Sequence, residues 1–210
     1  LPAAAGGALS RPNLQRRPFL PPLTTRCSGI NALVVDPTHG MLAAGTADGT
    51  IQCWDPRTRR RIGTSNPFDA IEAEYAELDA QPEITSLRFD SRGLLLAAGT
   101  SSGHVALYDI RRVAPLVVKD HNYGFPIVDL KWHGERVVSS DRKAIRVWSA
   151  DLSAAAPSTS TFTSIQPPAD VNDVALFPGS GLLVAALETE RLGAYFIPSL
   201  GPAPRGSHSH

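Results

Sequence analysis

Cysteine, lysine and long apolar runs are scarce in this chain, and each scarcity excludes something. Its two cysteines, Cys27 and Cys53, are too few for a disulfide framework, and they match no Cys-x-x-Cys or zinc-ligand spacing. A reducing, intracellular setting is the expectation that follows. No apolar run approaches the ~20 residues that a helix needs to cross a bilayer, so no membrane partner is expected. The sequence has no Gly-rich phosphate loop, no nucleophile elbow, no metal-binding His/Cys set and no isolated carboxylate pair. No catalytic residue, no metal and no cofactor is therefore expected. The formal net charge is zero, which excludes a generic polybasic nucleic-acid-binding tail as the main role.

Lysine is confined to Lys119, Lys131 and Lys143, so the basic charge is carried by arginine. No acidic residue precedes Asp36, whereas Arg11, Arg16, Arg17 and Arg26 do. Residues 1–28 are also rich in Pro and Ala, and they read as a basic arm or the remnant of a preceding repeat. Farther on, the run Arg57, Arg59, Arg60, Arg61 is followed by an acidic stretch from Asp69 to Asp79.

What the sequence does have is a repeat. Four segments open on apolar residues spaced 0, 3 and 5: Ile30, Leu33, Val35; Ile84, Leu87, Phe89; Ile127, Leu130, Trp132; Val171, Val174, Leu176. The last two of each set share one face of a strand. A turn follows each: Asp36-Pro37-Thr38-His39-Gly40, Asp90-Ser91-Arg92-Gly93, His133-Gly134-Glu135 and Pro178-Gly179-Ser180-Gly181. Second strands are expected at 41–46, 94–100, 136–140 and 182–187, with the small residues Ala43-Ala44-Gly45 and Ala97-Ala98-Gly99 suited to a crowded interior. Third strands end on Trp54, Tyr108, Trp148 and Tyr195, which recur every 40 to 54 residues. Outer strands are expected near 59–62 and 116–119. Short strands at this period are the signature of β-propeller blades.

The predicted fold is therefore all-β, a partial propeller of about four blades from a larger ring. The blades fall at about 29–62, 84–119, 126–150 and 170–200 within a propeller region of 29–205. Residues 63–83 form an insertion, in which Phe68, Ile71, Tyr75 and Leu78 lie on one face of a short helix. That helix either docks on a blade or binds a partner. Residues 151–168 read as a Ser/Thr/Pro/Ala loop. Residues 206–210 read as a purification-tag remnant. The chain is expected to be part of a longer protein lacking its first blades, and its open propeller edges are expected to pair with a second copy or with the missing half.

The repeat resembles the WD-repeat family across residues 30–198. Members of that family carry a structural network of His, Ser or Thr, Asp and Trp. The resemblance implies such a network at His121, Ser139 or Ser140, Asp141 and Trp148, and a partial one at Thr46, Asp48 and Trp54. Four further segments are more specific: Cys53-Trp54-Asp55-Pro56-Arg57-Thr58-Arg59, Leu107-Tyr108-Asp109-Ile110-Arg111, Val118-Lys119-Asp120-His121-Asn122-Tyr123-Gly124-Phe125-Pro126-Ile127, and Tyr195 to Arg205 with its Gly-Pro-Ala-Pro-Arg ending. In this order they resemble the nucleolar protein ten family of WD-repeat proteins. The resemblance implies a non-enzymatic scaffold of small-subunit ribosome assembly in the nucleolus, with other small-subunit processome proteins and pre-ribosomal RNA as partners. Arg57, Arg59, Arg60, Arg61 and Arg111 are the candidate contacts to RNA phosphate or acidic peptide. The alternatives for the basic run are a solvated outer strand or pairing with the acidic insertion. The endings Asp55-Pro56-Arg57 and Asp109-Ile110-Arg111 also fit WD-repeat substrate receptors of cullin-type ubiquitin ligases, or local pairs that close a turn.

Overall fold

The computed structural model describes residues 23, 25, 27–75, 80–150 and 163–203. Alternation of apolar and small residues folds them into four antiparallel sheets in sequence order, each a blade. Blade 1 is β1 (Ile30–Val35), β2 (Leu42–Thr46), β3 (Ile51–Asp55) and β4 (Arg60–Ser65). After α1 (Phe68–Tyr75) comes blade 2: β5 (Ile84–Phe89), β6 (Leu95–Thr100), β7 (His104–Asp109) and β8 (Val117–Asp120). Blade 3 is β9 (Asp129–His133), β10 (Arg136–Ser140), β11 (Ile145–Ser149) and β12 (Thr163–Ile165). Blade 4 is β13 (Val171–Leu176), β14 (Leu182–Leu187) and β15 (Leu192–Phe196). This is the partial propeller that the repeat predicts.

The turns between first and second strands form where the sequence places them. Each contains a glycine at positive φ: Gly40 at 71°, Gly93 at 67°, Gly134 at 57° and Gly179 at 70°. In the first two, a buried aspartate closes the turn. Asp36 accepts the backbone N–H groups of Thr38 and His39, and Asp90 accepts those of Leu94 and Leu95.

Outer strands depart further from the sequence reading. β4 begins one residue later than expected and runs to Ser65, into the segment read as insertion. β12 lies inside the stretch read as a Ser/Thr/Pro/Ala loop. It pairs with Ile145 to Val147, whose backbone groups would otherwise face an open edge. The helix is capped by Asn66, whose side chain accepts the Phe68 N–H at 2.9 Å, with Pro67 in the first turn. Ile71 is fully buried, Phe68 and Tyr75 are half-buried, and Glu72 and Glu74 are exposed. The Tyr75 hydroxyl donates to the Val118 carbonyl at 3.1 Å. Of the two readings of this helix, α1 docks on the blades; Leu78 lies outside the described residues.

Blades stack through their first strands. Ile84 and Leu87 of β5 meet Gly45 of β2, and Ile127 meets Gly99 of β6. A Cβ at Gly99 would lie 2.6 Å from Ile127 Cγ2, closer than real contacts allow. Hydrogen bonds stitch the same seam: the Thr85 hydroxyl donates to the Ile127 carbonyl at 2.7 Å, and the Trp132 indole donates to the Arg88 carbonyl at 2.9 Å. β1 is the exception. Its Ile30, Leu33 and Val35 are 52%, 64% and 60% exposed, while the equivalent Ile84, Leu87 and Phe89 are buried.

A larger residue at Gly99 must therefore push the blades apart. Gly99→Val is expected to lower stability by roughly 1–3 kcal/mol. The check is urea unfolding, read as a lower midpoint with an unchanged slope.

Candidate functional site

Four residues that the sequence singles out in blade 3 come together. His121 enters from the segment after β8, Ser139 from β10, Asp141 from the following turn and Trp148 from β11. His121 Nδ1 lies 2.9 Å from Asp141 Oδ2, and its Nε2 lies 2.6 Å from Ser139 Oγ. The Trp148 indole N–H donates to Ser139 Oγ at 2.6 Å. One donor sequence satisfies every member: indole to hydroxyl, hydroxyl to Nε2, and Nδ1–H to carboxylate. Asp141 also accepts the backbone N–H groups of Lys143 at 2.6 Å and Ala144 at 2.7 Å, which closes the turn into β11. Of the two serines the sequence leaves open, Ser139 joins the network. Ser140 points the other way along the strand.

In its order of contacts, Asp–His–Ser mimics a hydrolase triad. Yet His121, Ser139 and Asp141 are fully buried, and the serine hydroxyl is occupied by Trp148. No substrate reaches Ser139 while the blade is closed. The arrangement holds β10, β11, the turn between them and the segment after β8 together.

Blade 1 differs. Thr46 hydrogen-bonds Asp48, and it lies 2.9 Å from the Thr50 hydroxyl. Trp54 is buried at the opposite end of the strand pair, facing Leu42. The three residues named for this blade therefore do not form one network. The register gives the reason. Ser139 stands two residues beyond Val137, the partner of Trp148. Two residues beyond Leu42 is Ala44, which has no hydroxyl to offer. Ala98 and Ala185 hold the same place opposite Tyr108 and Tyr195 in blades 2 and 4. Thr46 corresponds to Asp141, not to Ser139.

The arginines lie on the rim. Arg57 sits in the β3–β4 turn, where its backbone N–H and the Thr58 hydroxyl both donate to Asp55 at 2.9 and 3.0 Å. Its Nη2 donates to the His39 carbonyl at 3.3 Å. Arg59 occupies the same turn in the left-handed region, at φ 57°. Arg60 and Arg61 are exposed on β4. Among the described residues, no ion pair joins Arg57, Arg60 or Arg61 to the carboxylates of α1, and the rest of the acidic stretch, with Glu77 and Asp79, lies outside the described residues. Arg111 grips Asp109 with two side-chain bonds, at 2.8 and 2.5 Å, and its backbone N–H adds a third. Those contacts hold the Asp109 carboxyl down at about 2. Both Asp-x-Arg endings thus close their own turns, and this accounts for them without an adaptor protein.

Two of the surface cavities lie beside the seams between blades. One of about 590 Å3 is lined by Arg88, Lys131 and Trp132 at the inner strands, and its cations pair with Asp129 and Asp173. The other, about 230 Å3, lies between β4 and the β7–β8 loop.

The family model described as "Nucleolar protein 10-like, N-terminal domain" matches residues 1–208. The chain belongs to the nucleolar protein 10-like family. A Xenopus laevis relative named Nucleolar protein 10 is 42% identical over 204 residues, which are 96% of this chain and 28% of that protein. A Saccharomyces cerevisiae relative named Ribosome biogenesis protein ENP2 is 34% identical over 96% of this chain and 28% of its own length. The chain thus spans under a third of either relative. Among solved structures, U3-55K superposes with a TM-score of 0.64 at 16% identity, covering 85% of this chain and 52% of that one. The computationally designed Ika4 protein superposes at 0.61 and 20% identity, covering 83% and 94%. Both likenesses concern the fold.

In this nucleolar protein 10-like chain, the network sets two expectations. Ser139→Ala removes the centre of two hydrogen bonds and strands the Trp148 indole. It is expected to cost about 1–3 kcal/mol in denaturant unfolding, while Ser140→Ala costs less. Acid should also weaken the fold. Burial pushes the His121 imidazole below its ordinary value, more than the Asp141 carboxylate raises it. Burial of His104 acts in the same direction. The unfolded imidazoles therefore take up protons first, near pH ~6.5. Stability is full above that pH and falls below it, toward the lower folded value. Burial works to raise the Asp141 carboxyl, yet its hydrogen bonds from His121, Lys143 and Ala144 bring it below its ordinary value. Its contribution is lost only in stronger acid. Denaturation midpoints at pH 7.5 and 5.5 test this, and His121→Gln should narrow the gap between them.

Proposed function

We propose that this chain is a non-enzymatic interaction scaffold in assembly of the small ribosomal subunit in the nucleolus, working among other small-subunit processome proteins and pre-ribosomal RNA. The observation that carries the reading is the family match over nearly the whole chain, to relatives named for the nucleolus and for ribosome biogenesis. The geometry agrees with it. The His–Ser–Asp cluster is sealed inside blade 3, and no metal-holding group of His, Cys, Asp and Glu occurs among the described residues. What the molecule offers outward is loops and strand edges from successive blades. That suits simultaneous docking of several partners better than turnover. Arg57, Arg59, Arg60, Arg61 and Arg111 are the proposed contact residues of the rim. The open face of β1, with Ile30, Leu33 and Val35, is the proposed edge for self-association or for further blades.

The test is to purify the tagged full-length protein from its own cells, separate its complexes by sedimentation and sequence the bound RNA. Precursors of the small-subunit RNA are expected to be enriched in the same fractions. Recovery with a cullin adaptor and without pre-ribosomal RNA would sink the proposal.

A further inference from the structure

The cleft between blades 1 and 2 has features that turn closure and edge protection leave unexplained. Its walls are apolar at Met41, Cys53, Ile62, Ile110 and Val113, with Thr64, Ser65, Arg111 and Arg112 beside them. Two of the apolar residues are strongly exposed, Ile62 at 57% and Val113 at 73%. Ile62 is the extra residue of a β-bulge, because Cys53 pairs with Gly63 while Trp54 pairs with Arg61. A bulge re-aims a side chain, and here it puts an isoleucine into an outward-facing cleft. The Ser65 hydroxyl bonds the Val113 carbonyl and so fixes one wall to the other.

The charge left unpaired around it is of one sign. Asp55 and Asp109 are committed to their own turns. Arg60, Arg61 and Arg112 form no ion pair among the described residues. Arginines and a bulge on an edge strand also serve to stop unwanted strand pairing. That accounts for Arg60 and Arg61, but not for Arg112 and Val113 on a loop of the next blade. The larger inner cavity lacks this surplus, since its cations are paired.

We propose that this cleft binds an acidic linear peptide segment of a partner protein, which seats an aliphatic side chain between Ile62 and Val113 and sets carboxylates on Arg60, Arg61 and Arg112. The proposal rests on the scaffold reading and supplies one of its docking sites. A peptide fits better than single-stranded RNA because no aromatic side chain lines the cleft, so a base has nothing to stack on. The bulge interrupts the β4 edge, so the peptide is held by side chains and not by strand addition.

The chain carries its own reporter. Of its two cysteines, Cys53 lines the cleft and Cys27 does not. The probe is a short synthetic peptide with leucines spaced among glutamates, with lysine-for-glutamate and oligouridylate controls. Binding is read by fluorescence anisotropy, and thiol alkylation by mass spectrometry. The acidic peptide is expected to bind and to slow alkylation of Cys53 several-fold without changing that of Cys27. Combined Arg60→Glu, Arg61→Glu and Arg112→Glu should weaken binding at least about tenfold. Val113→Asp should weaken it separately, so the inference survives if the triple variant fails to fold. Unchanged Cys53 reactivity, equal binding of the lysine peptide, or tighter oligouridylate binding overturns it. Failure to find pre-ribosomal RNA in cells would leave this binding in place, so the two proposals fail separately.

Discussion

The first strand of one blade lies on the second strand of the blade before it, and the distance between them is set by what stands at Gly45 and Gly99. With no side chain there, Ile84 and Ile127 press directly on the neighbouring backbone. Every other relation follows from that approach. It lets Thr85 and Trp132 reach across the seam to backbone carbonyls. It also brings the segment after β8 close enough for His121 to drop into blade 3. The rim inherits the same geometry, since the cleft between β4 and the β7–β8 loop is the outer margin of the first seam.

Within this frame, a hydrogen-bond network that reaches the third-strand aromatic is found in one blade. Alanine occupies the Ser139 register in blades 1, 2 and 4, and there the third-strand aromatic, buried at Trp54 and Tyr108 and half-buried at Tyr195, has no serine hydroxyl beside it. An alanine interior is simpler to satisfy, since it leaves no hydroxyl wanting a partner. Blade 3 accepts the harder arrangement and satisfies it at His121, Ser139, Asp141 and Trp148. Its four members each use their hydrogen-bonding groups on one another or on a turn, which leaves nothing over for chemistry.

Much of this could be read in the residues, and the limits have physical causes. Apolar spacing locates the first and second strands because each packs within its sheet, and all of these but β1 also bury an apolar face against a neighbour. The Asp and Gly turns were legible because only those residue types close such turns without strain. Phe68, Ile71 and Tyr75 announced the docked helix through their period. By contrast, β12 hides in a Ser/Thr-rich stretch, because an outermost strand needs only a partner's free edge and no apolar pattern. Thr46 looked like a network member because its residue type is right. Only strand register shows that it stands two places too far along. The exposure of Ile62 depends on a bulge that no composition signals. Arg57 and Arg111 read equally as contacts or turn closures, because residue type alone does not show that Asp55 and Asp109 are engaged within their own turns.

The uneven distribution of the polar network has a further meaning for how the molecule moves. In an array whose units touch only their neighbours, opening proceeds from whichever unit is least secured. Blade 3 has a neighbour on each side and a locked interior. Blade 1 leaves Leu33 and Val35 facing outward, and blade 4 has three strands among the described residues. Amide exchange should then be slowest around Ser139 and Trp148 and faster in the blades that lack this network.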